Sequence, residues 1–242
     1  MKIKDIKALI FDMGGTLYKP VSDLCSLTRD FLIELGVGGM EGLSDTEIVA
    51  ATEGPDEWLS NYMIENQVDP HWIPNYDEWI EYDKLLLANL GINDIEIVRK
   101  YQARWDEFQE TAIAELVEGC KEGLENLHER GFQLGIASNR FGDPFEILRD
   151  SSIHHLFDVI EYTNVPGYKK PSPYMLVRVA QLLGINPHKC AYVGNVVKYD
   201  VEAASRAGMI PILLTWVDPQ EAELITSDTI VVGHIDDLME IL

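Results

Sequence analysis

The sequence has little cysteine, few long hydrophobic runs and little positive charge. Its cysteines are Cys25, Cys120 and Cys190, which lie far apart and form no CxxC pair. This sparse, odd set excludes a disulfide framework and a zinc knuckle, and it favours a reducing compartment. No stretch approaches the roughly 20 apolar residues of a membrane span, and the apolar run from Ala8 to Phe11 is too short for a signal peptide. We therefore expect a cytoplasmic protein that does not engage a membrane.

Acidic residues outnumber basic ones by 41 to 19, which gives a net charge of −22 and an isoelectric point of about 4.5. This balance argues against nucleic acid or an anionic membrane as a partner, because both attract basic surfaces. An acidic protein that binds phosphate must supply a local positive field from a lysine, helix N-termini or a bound cation. The length of 242 residues suggests one large domain or a core with a smaller insert, and the 46% of hydrophobic residues excludes wholesale disorder.

Short apolar runs alternate with helical patterns, mainly in the second half of the chain. Strands are predicted at Ala8–Phe11, Phe132–Ala137, Asp158–Tyr162, Cys190–Val193, Ile210–Leu214 and Ile230–Val232. Helices are predicted around Val117–Leu127 and at Pro173–Leu183, Val201–Ala207 and Ile235–Leu242. Strands joined through helices predict an α/β fold with a doubly wound, mostly parallel, Rossmann-like sheet.

The segment from about Tyr18 to Ala112 differs from the rest, because it has long helical patterns and few strand-like runs. It follows the first predicted strand and is expected to form an inserted, all-helical subdomain. Four of the five tryptophans lie there: Trp58, Trp72, Trp79 and Trp105. Aromatic residues at helical spacing are more often core than pocket lining, although they could line a pocket here.

Polar residues follow the predicted strands where the carboxyl ends of a parallel sheet meet, which is where such sheets bind ligands. The segments are Asp12 to Thr16, Ser138-Asn139, Lys169-Lys170, and Gly194-Asn195 with Asp200. A carboxylate, a hydroxyl, a lysine and a second carboxylate suit phosphoryl transfer to an enzyme side chain, with a divalent cation bridging the carboxylates and the phosphate. Taken singly, Asp12 also suits a turn and Asp200 a helix N-cap.

The segments FDMGGTL, IASNR, GYKKPSP and VGNVVKYDVEAASRAGM occur in the order and spacing of a known family. In these motifs the chain resembles the haloacid dehalogenase-like (HAD) superfamily, in the branch with a helical C1-type cap inserted after the first motif. The resemblance implies a discontinuous α/β core of residues 1–17 and 113–242 and a helical cap of residues 18–112. It covers almost the whole chain.

The resemblance also implies a role for each matching residue. Asp12 would be the nucleophile that forms an aspartyl-phosphate, and Lys170, directly before Pro171, would hold Asp12 and the phosphate. The phosphate-binding residues would be Ser138, Asn139, Thr16 and Gly15, and the Mg²⁺ ligands would be Asp12, the Gly14 carbonyl, Asp200 and Asn195. The Lys-Pro step of the family pattern selects Lys170 over Lys169. The expected activity is a Mg²⁺-dependent phosphohydrolase for a small phosphorylated metabolite.

Two positions depart from the usual pattern of the family. Gly14 replaces the aspartate that protonates the leaving group and activates water, a contribution worth about 10²–10⁴-fold in rate. Asn195 replaces another aspartate, but Asp12 and Asp200 still leave two carboxylates, which is enough for Mg²⁺. We therefore expect slow turnover, with acyl or aryl phosphates preferred to alkyl phosphates. Asp143 is a possible substitute acid, although a turn role before Pro144 is favoured.

Other activities remain open at this stage. A haloacid dehalogenase would use Asp12 to attack carbon without a metal, but that branch usually has tyrosine at the position of Gly14 and needs a cap arginine, for which Arg29 is a candidate. A phosphonate hydrolase would need a Schiff-base lysine, for which only Lys19 lies near the right place. A catalytically impaired protein could bind a phosphorylated ligand instead. The substrate and the oligomeric state are not determined by the sequence.

Overall fold

A computed structural model describes residue 3, residues 5–20 and residues 24–242 of the chain. The chain divides into two compact units. The core unit comprises Met1–Lys19, Pro70–Trp72 and Ala114–Leu242, and the helical unit comprises Pro20–Asp69 and Ile73–Ile113. The sequence-based boundaries did not anticipate that residues 70–72 group with the core unit. Positions 1, 2 and 4 of the expected core and positions 21–23 of the expected cap lie outside the described residues.

The core unit contains a six-stranded sheet, in which all five strand pairings are parallel. Its strands are β1 (Ala8–Phe11), β2 (Gln133–Ser138), β3 (Val159–Tyr162), β4 (Cys190–Gly194), β5 (Ile210–Leu214) and β6 (Ile230–Val232). They are ordered β3-β2-β1-β4-β5-β6, which confirms the doubly wound parallel sheet. The strand order reverses between β1 and β4, and the carboxyl ends of strands at such a switch point form a ligand-binding crevice.

The helical unit consists of α1 (Leu24–Glu34), α2 (Asp45–Glu65), α3 (Tyr76–Asn89) and α4 (Ile95–Thr111) in its described part. Ser44 and Asn75 begin α2 and α3 with capping boxes, in which the cap side chain accepts from the backbone and a glutamate three residues later accepts from the cap backbone. Leu32, Leu87 and Tyr101 are fully buried in the core of this unit. Within the described residues, no helix combines the length and apolarity needed to cross a bilayer.

The tryptophans of the middle segment are all half-buried, and they divide between the two units. Trp58, Trp79 and Trp105 belong to the helical unit, where Trp105 packs edge-on against Phe31 with ring centroids 5.2 Å apart. Trp72 belongs to the core unit and contacts Phe141 there.

The helices of the core unit are α5 (Cys120–Glu129), α6 (Phe145–Asp150), α7 (Tyr174–Leu183), α8 (Glu202–Ala207) and α9 (Leu238–Ile241). Successive strand residues face opposite sides of the sheet, so Leu9 and Phe11 join one hydrophobic cluster and Ala8 and Ile10 join the other. The first cluster includes side chains of α5, and the second includes side chains of α7. Both faces of the sheet are therefore covered.

Two predicted helices differ in detail from the structure. Val117 is buried but precedes α5, because Gly119 adopts a left-handed conformation with φ 75° and the helix begins only after it. The predicted closing helix is a 3₁₀ turn at Ile235–Asp237 followed by the short α9. Apolar periodicity places these side chains on the core face without fixing where the backbone becomes helical.

Candidate active site

Asp12 directly follows β1 at the switch point of the sheet. Its backbone N–H donates to the carbonyl oxygen of Val193 at 2.9 Å, which extends the pairing with β4 by one step. The chain then turns tightly, because the Met13 carbonyl accepts from the N–H groups of Thr16, Leu17 and Tyr18. This turn holds the Asp12 carboxylate at the carboxyl end of the strand.

Gly15 is required in this turn for two reasons. Its φ is +74°, which L side chains rarely adopt, and an added Cβ would lie 2.5 Å from Nδ2 of Asn195. The Asn195 side chain therefore approaches the backbone of the first loop closely. Thr16 is fully buried, and its hydroxyl donates to Oδ1 of Asn195 at 3.3 Å. Gly15, Thr16 and Asn195 thus form one packed group beside Asp12.

Lys170 is buried, and its ammonium group lies between two carboxylates. Its Nζ donates to Oδ1 of Asp12 at 2.6 Å and to Oδ1 of Asp200 at 2.7 Å. Asn139 fixes the backbone of Lys170, since its Nδ2 donates to the Lys170 carbonyl at 3.0 Å and its Oδ1 accepts from the Lys170 N–H at 2.7 Å. Lys169 is half-buried, and its side chain forms no hydrogen bond with Asp12 or Asp200 among the described residues. The lysine before Pro171 is therefore the one that joins the two carboxylates.

Asp200 reaches the site from a π-helical turn at Val197–Val201, directly before α8. This wider turn accommodates one more residue than an α-helical turn, and such turns are frequent at functional sites. Oδ2 of Asp200 accepts from the backbone N–H groups of Asn195 and Val196, each at 3.0 Å. Gly194 leaves room for this carboxylate, because a Cβ there would lie 2.3 Å from Cγ of Asp200. The carboxylate is thus held by backbone donors on one side and by Lys170 on the other.

Ser138 ends β2, the strand next to β1, and it is 5% exposed. Phe11 lies opposite Ile136 in the parallel pairing, so Asp12 and Ser138 reach the same edge of the sheet. Asp143 is exposed and accepts from the N–H of Phe145 at 2.9 Å, as expected for a turn residue.

The candidate residues for the dehalogenase and the phosphonate hydrolase, Arg29 and Lys19, both form ion pairs with other side chains. Arg29 forms an ion pair with Asp45 and donates to the Leu43 carbonyl at 2.8 Å within the helical unit. Lys19 forms an ion pair with Glu115 within the core unit.

The charges of the site are unequal, since two buried carboxylates face one ammonium group. Burial lowers the pKa of Lys170, but Asp12 and Asp200 outweigh this effect and raise it above its usual value, so Lys170 is charged. Burial raises the pKa of Asp12; the charge on Lys170 opposes this and the charge on Asp200 adds to it. The cluster has a surplus of one negative charge when both carboxylates are ionised.

A family model of haloacid dehalogenase-like hydrolases matches residues 6–208. The chain belongs to this family. The match confirms the family and the hydrolase expected from the four motifs, and it spans both units of the structure.

Named relatives of the chain are phosphatases. A glyceraldehyde 3-phosphate phosphatase from Methanopyrus kandleri is 28% identical over 98% of this chain and 96% of its own. A phosphoglycolate phosphatase from Aquifex aeolicus is 35% identical over 87% of this chain and 85% of its own. Among solved structures, a predicted phosphoglycolate phosphatase from Haemophilus somnus superimposes with a TM-score of 0.65 at 20% identity, covering 99% of both chains. This last likeness shows the shared fold.

The sequence motifs missed a third partner of the lysine, Tyr192 in the middle of β4. Nζ of Lys170 donates to Oη of Tyr192 at 2.7 Å, and this hydroxyl donates to the carbonyl of Ala137 at 2.8 Å. Burial, together with the charges on Asp200 and Asp12, raises the pKa of Tyr192 well above 10, so it stays neutral. A tyrosine within a buried strand needs a partner for its hydroxyl, and this rule was the available signal.

Arg140, immediately after Ser138-Asn139, ends the IASNR motif, but sequence reasoning assigned it no role. Its Nε donates to the Gly142 carbonyl at 3.0 Å, and its Nη1 lies 3.9 Å from Sδ of Met13, the residue after Asp12. Burial lowers the pKa of this guanidinium, although it stays well within the charged range. It adds a positive charge beside the loop that follows Asp12 in this HAD-like protein.

The donor set fits a hard divalent cation. Asp12 and Asp200 carry the surplus negative charge, and both direct an oxygen at one cationic atom, Nζ of Lys170. Across the described residues, no cluster of three or more His, Cys, Asp and Glu side chains is placed to hold a metal ion, so a cation here would rely on two carboxylates with other oxygens. Mg²⁺ commonly binds through one or two carboxylates and keeps several waters. The residues therefore fit Mg²⁺, with further oxygens available at the Gly14 carbonyl and the Asn195 side chain.

Proposed function

We propose that this protein is a Mg²⁺-dependent phosphatase of small phosphorylated metabolites that forms an aspartyl-phosphate on Asp12. The observation that carries the proposal is the buried Lys170 ammonium group, hydrogen-bonded to both Asp12 and Asp200 at the switch point of the sheet. The phosphatase names of the relatives from Methanopyrus kandleri and Aquifex aeolicus support the same reaction and suggest two- or three-carbon phosphates as the substrate class.

In the first half of the reaction, the Asp12 carboxylate attacks phosphorus and the bond between phosphorus and the leaving oxygen breaks. Lys170 keeps Asp12 ionised and oriented, and Asn139 holds the backbone of Lys170. Ser138, and Arg140 two residues after it, would hold phosphate oxygens at the edge of the sheet. When bound by Asp12, Asp200, Asn195 and the Gly14 carbonyl, Mg²⁺ would offset the repulsion between the nucleophile and the anionic substrate.

In the second half, water attacks phosphorus of the aspartyl-phosphate, inorganic phosphate leaves, and the Asp12 carboxylate is restored. Gly14 offers no side chain to protonate the leaving oxygen in the first half or to deprotonate water in the second. The leaving alkoxide of an alkyl phosphate must then take its proton from solvent, whereas acyl and aryl leaving groups depart without one. We therefore expect acyl and aryl phosphates to react faster than alkyl phosphates, and the aspartyl-phosphate to persist.

The test of this proposal is a screen of phosphorylated metabolites, acyl phosphates and p-nitrophenyl phosphate with Mg²⁺. We expect phosphate release that EDTA abolishes and added Mg²⁺ restores, and that the variant D12N lacks. Rapid acid quench with ³²P-labelled substrate should trap label on the peptide that contains Asp12. Activity that survives EDTA, or label on another residue, would contradict the proposal.

A second candidate is a protein that binds a phosphorylated ligand with little turnover. It is favoured by one observation, the absence of any acid–base side chain at the exposed Gly14. In that case the quench experiment detects no label on Asp12, while the same phosphorylated metabolite still binds with Mg²⁺. Dehalogenation would instead appear as halide release that is insensitive to EDTA.

Replacing Tyr192 by phenylalanine is expected to lower kcat about three- to tenfold and to leave KM nearly unchanged. The change removes one of three acceptors around the Lys170 ammonium group and leaves a buried N–H without a partner. An unsatisfied buried donor of this kind lowers the free energy of unfolding by about 1–3 kcal/mol. Steady-state kinetics on p-nitrophenyl phosphate measure the effect, with Y76F at an exposed tyrosine as the matched control. A change in KM alone would show that Tyr192 does not act through Lys170.

A further inference from the structure

The helical unit contains a cavity of about 230 Å³ between α1, α3 and α4. The lining residues used here are Trp79, Tyr82, Asp83, Tyr101, Gln102 and Trp105. The hydroxyl of Tyr82 donates to Asp56 at 2.7 Å, and that of Tyr101 pairs with Thr28 at 2.8 Å. Because both hydroxyls already have partners, the two tyrosines offer mainly their aromatic rings to a ligand.

Asp83 is the one carboxylate among these lining residues, and it is 4% exposed. Its Oδ2 has no hydrogen-bond partner within the described part of the chain. A buried, unpaired carboxylate is costly to a fold, and native proteins seldom keep one without a ligand or a function. A ligand with a hydrogen-bond donor could therefore satisfy Oδ2 of Asp83 in this cavity.

We propose that this cavity binds the protonated amino group of a small primary alkylamine, with Asp83 as its counter-ion. The ammonium group would donate to the unpaired Oδ2 of Asp83, and the alkyl chain would lie among the aromatic rings. This site lies wholly within the helical unit, and its existence does not depend on the phosphatase proposal.

Three features of the cavity favour an alkylammonium ion over other ligands. Aromatic rings attract cations through their negative faces, and four of the lining residues named above are aromatic. Nε2 of Gln102 donates to Asp106 at 2.7 Å, which leaves its carbonyl oxygen as a second acceptor. A primary amine supplies N–H donors for these two acceptors, which a quaternary ammonium ion lacks. The volume is roughly eight times the ~30 Å³ share of one water, enough for a few carbon atoms.

Protonation of Asp83 should control this binding. Burial raises the pKa of Asp83 to about 8, and the charge on Asp106 of α4 adds to this effect. Tyr82 beside it on α3 and Tyr101 on α4 are neutral below pH 9, because burial raises the pKa of both. An alkylamine, like a lysine side chain with a pKa of about 10.4, stays charged over this range. Amine affinity should therefore rise by up to about tenfold per pH unit between pH 6 and 8 and level off above pH 8.

The experiment titrates the intact protein with n-butylammonium chloride and follows calorimetric heat and tryptophan fluorescence. Parallel titrations use n-butanol, a neutral ligand of the same size, and tetramethylammonium chloride, a cation without N–H donors. We expect n-butylammonium to bind at least tenfold more tightly than either. The variant D83N should lose at least tenfold in affinity, and D77N, at an exposed position of the same helix, should bind like the wild type.

Equal binding of n-butanol or tetramethylammonium would overturn the proposal, since the site would then be an apolar or purely aromatic cavity. Unchanged affinity in a folded D83N would overturn it as well. If D83N does not fold, the pH series on the wild type decides, because a flat affinity between pH 6 and 8 contradicts a role for the Asp83 carboxylate. Absence of any n-butylammonium binding at pH 8.5 would end the proposal outright.

Discussion

Substituting aspartate for Gly14 is expected to raise turnover of alkyl phosphates by about 10²–10⁴-fold, the usual contribution of a general acid–base group. The structure has room for the change. Gly14 is exposed, its backbone lies outside the positive-φ region, and a Cβ there would meet nothing within 4 Å. A carboxyl group two residues after Asp12 could protonate the leaving oxygen and later take a proton from water.

The measurement compares G14D with the wild type on phosphoglycolate and on p-nitrophenyl phosphate. The gain should be larger for phosphoglycolate, because its leaving alkoxide needs a proton in the first half of the reaction. Dephosphorylation of Asp12 also gains a base, so turnover of p-nitrophenyl phosphate should rise as well. The variant G14N is the matched control, because asparagine has the shape of aspartate but no titratable carboxyl group. Unchanged p-nitrophenyl phosphate turnover in G14D, or an equal rise in G14N, would contradict our assignment of the missing acid.

Replacing Lys170 by methionine is expected to lower kcat by about 10²–10³-fold, the loss seen when one electrostatic donor is removed from a reaction centre. The substitution removes the cationic side chain that bonds to both Asp12 and Asp200. The two carboxylates would then repel each other, which raises the pKa of Asp12 and leaves it less often ionised. Lys169 is the matched control, since K169M changes the same charge one residue away and should keep nearly full activity.

A second readout of K170M separates this electrostatic role from simple misfolding. Breaking a buried ion pair costs about 3–5 kcal/mol, so K170M should unfold at lower denaturant concentration in metal-free buffer. Added Mg²⁺ should recover more stability in K170M than in the wild type, because the cation can replace the ammonium group between the carboxylates. Equal stabilisation of both proteins by Mg²⁺ would show that Asp12 and Asp200 do not share a cation.

The sheet could be predicted closely from the sequence, for a physical reason that the individual strands show. Parallel strands are buried on both faces, so Ala8–Phe11 and Ile210–Leu214 are continuous apolar runs ended by polar or turn residues, and both were predicted at their observed bounds. Helix starts were less predictable, as the entry into α5 shows, because a left-handed glycine cannot be recognised from apolar periodicity.

Contacts between distant residues were beyond sequence reasoning in two places. Tyr192 contacts the ammonium group of a residue 22 positions earlier, and nothing in its local pattern names that partner. Asp83 shares the buried face of α3 with Leu86 and Leu87 by its helical spacing, but that spacing does not show that its Oδ2 lacks a hydrogen-bond partner among the described residues. In both cases the decisive quantity is the environment of a polar atom, which depends on which helices and strands pack together.

The amino-acid sequence by itself determined the α/β class, the parallel strands and the family, since these follow from apolar runs and short motifs that are local in the chain. It also determined which chemical groups are available at the strand ends, including a glycine at position 14. Only the tertiary structure decided that Lys170 bonds to Asp12, Asp200 and Tyr192 together, and that Oδ2 of Asp83 has no hydrogen-bond partner in the described part of the chain. Hydrogen bonding and burial depend on distances of a few ångströms between residues far apart in sequence, which only folding sets.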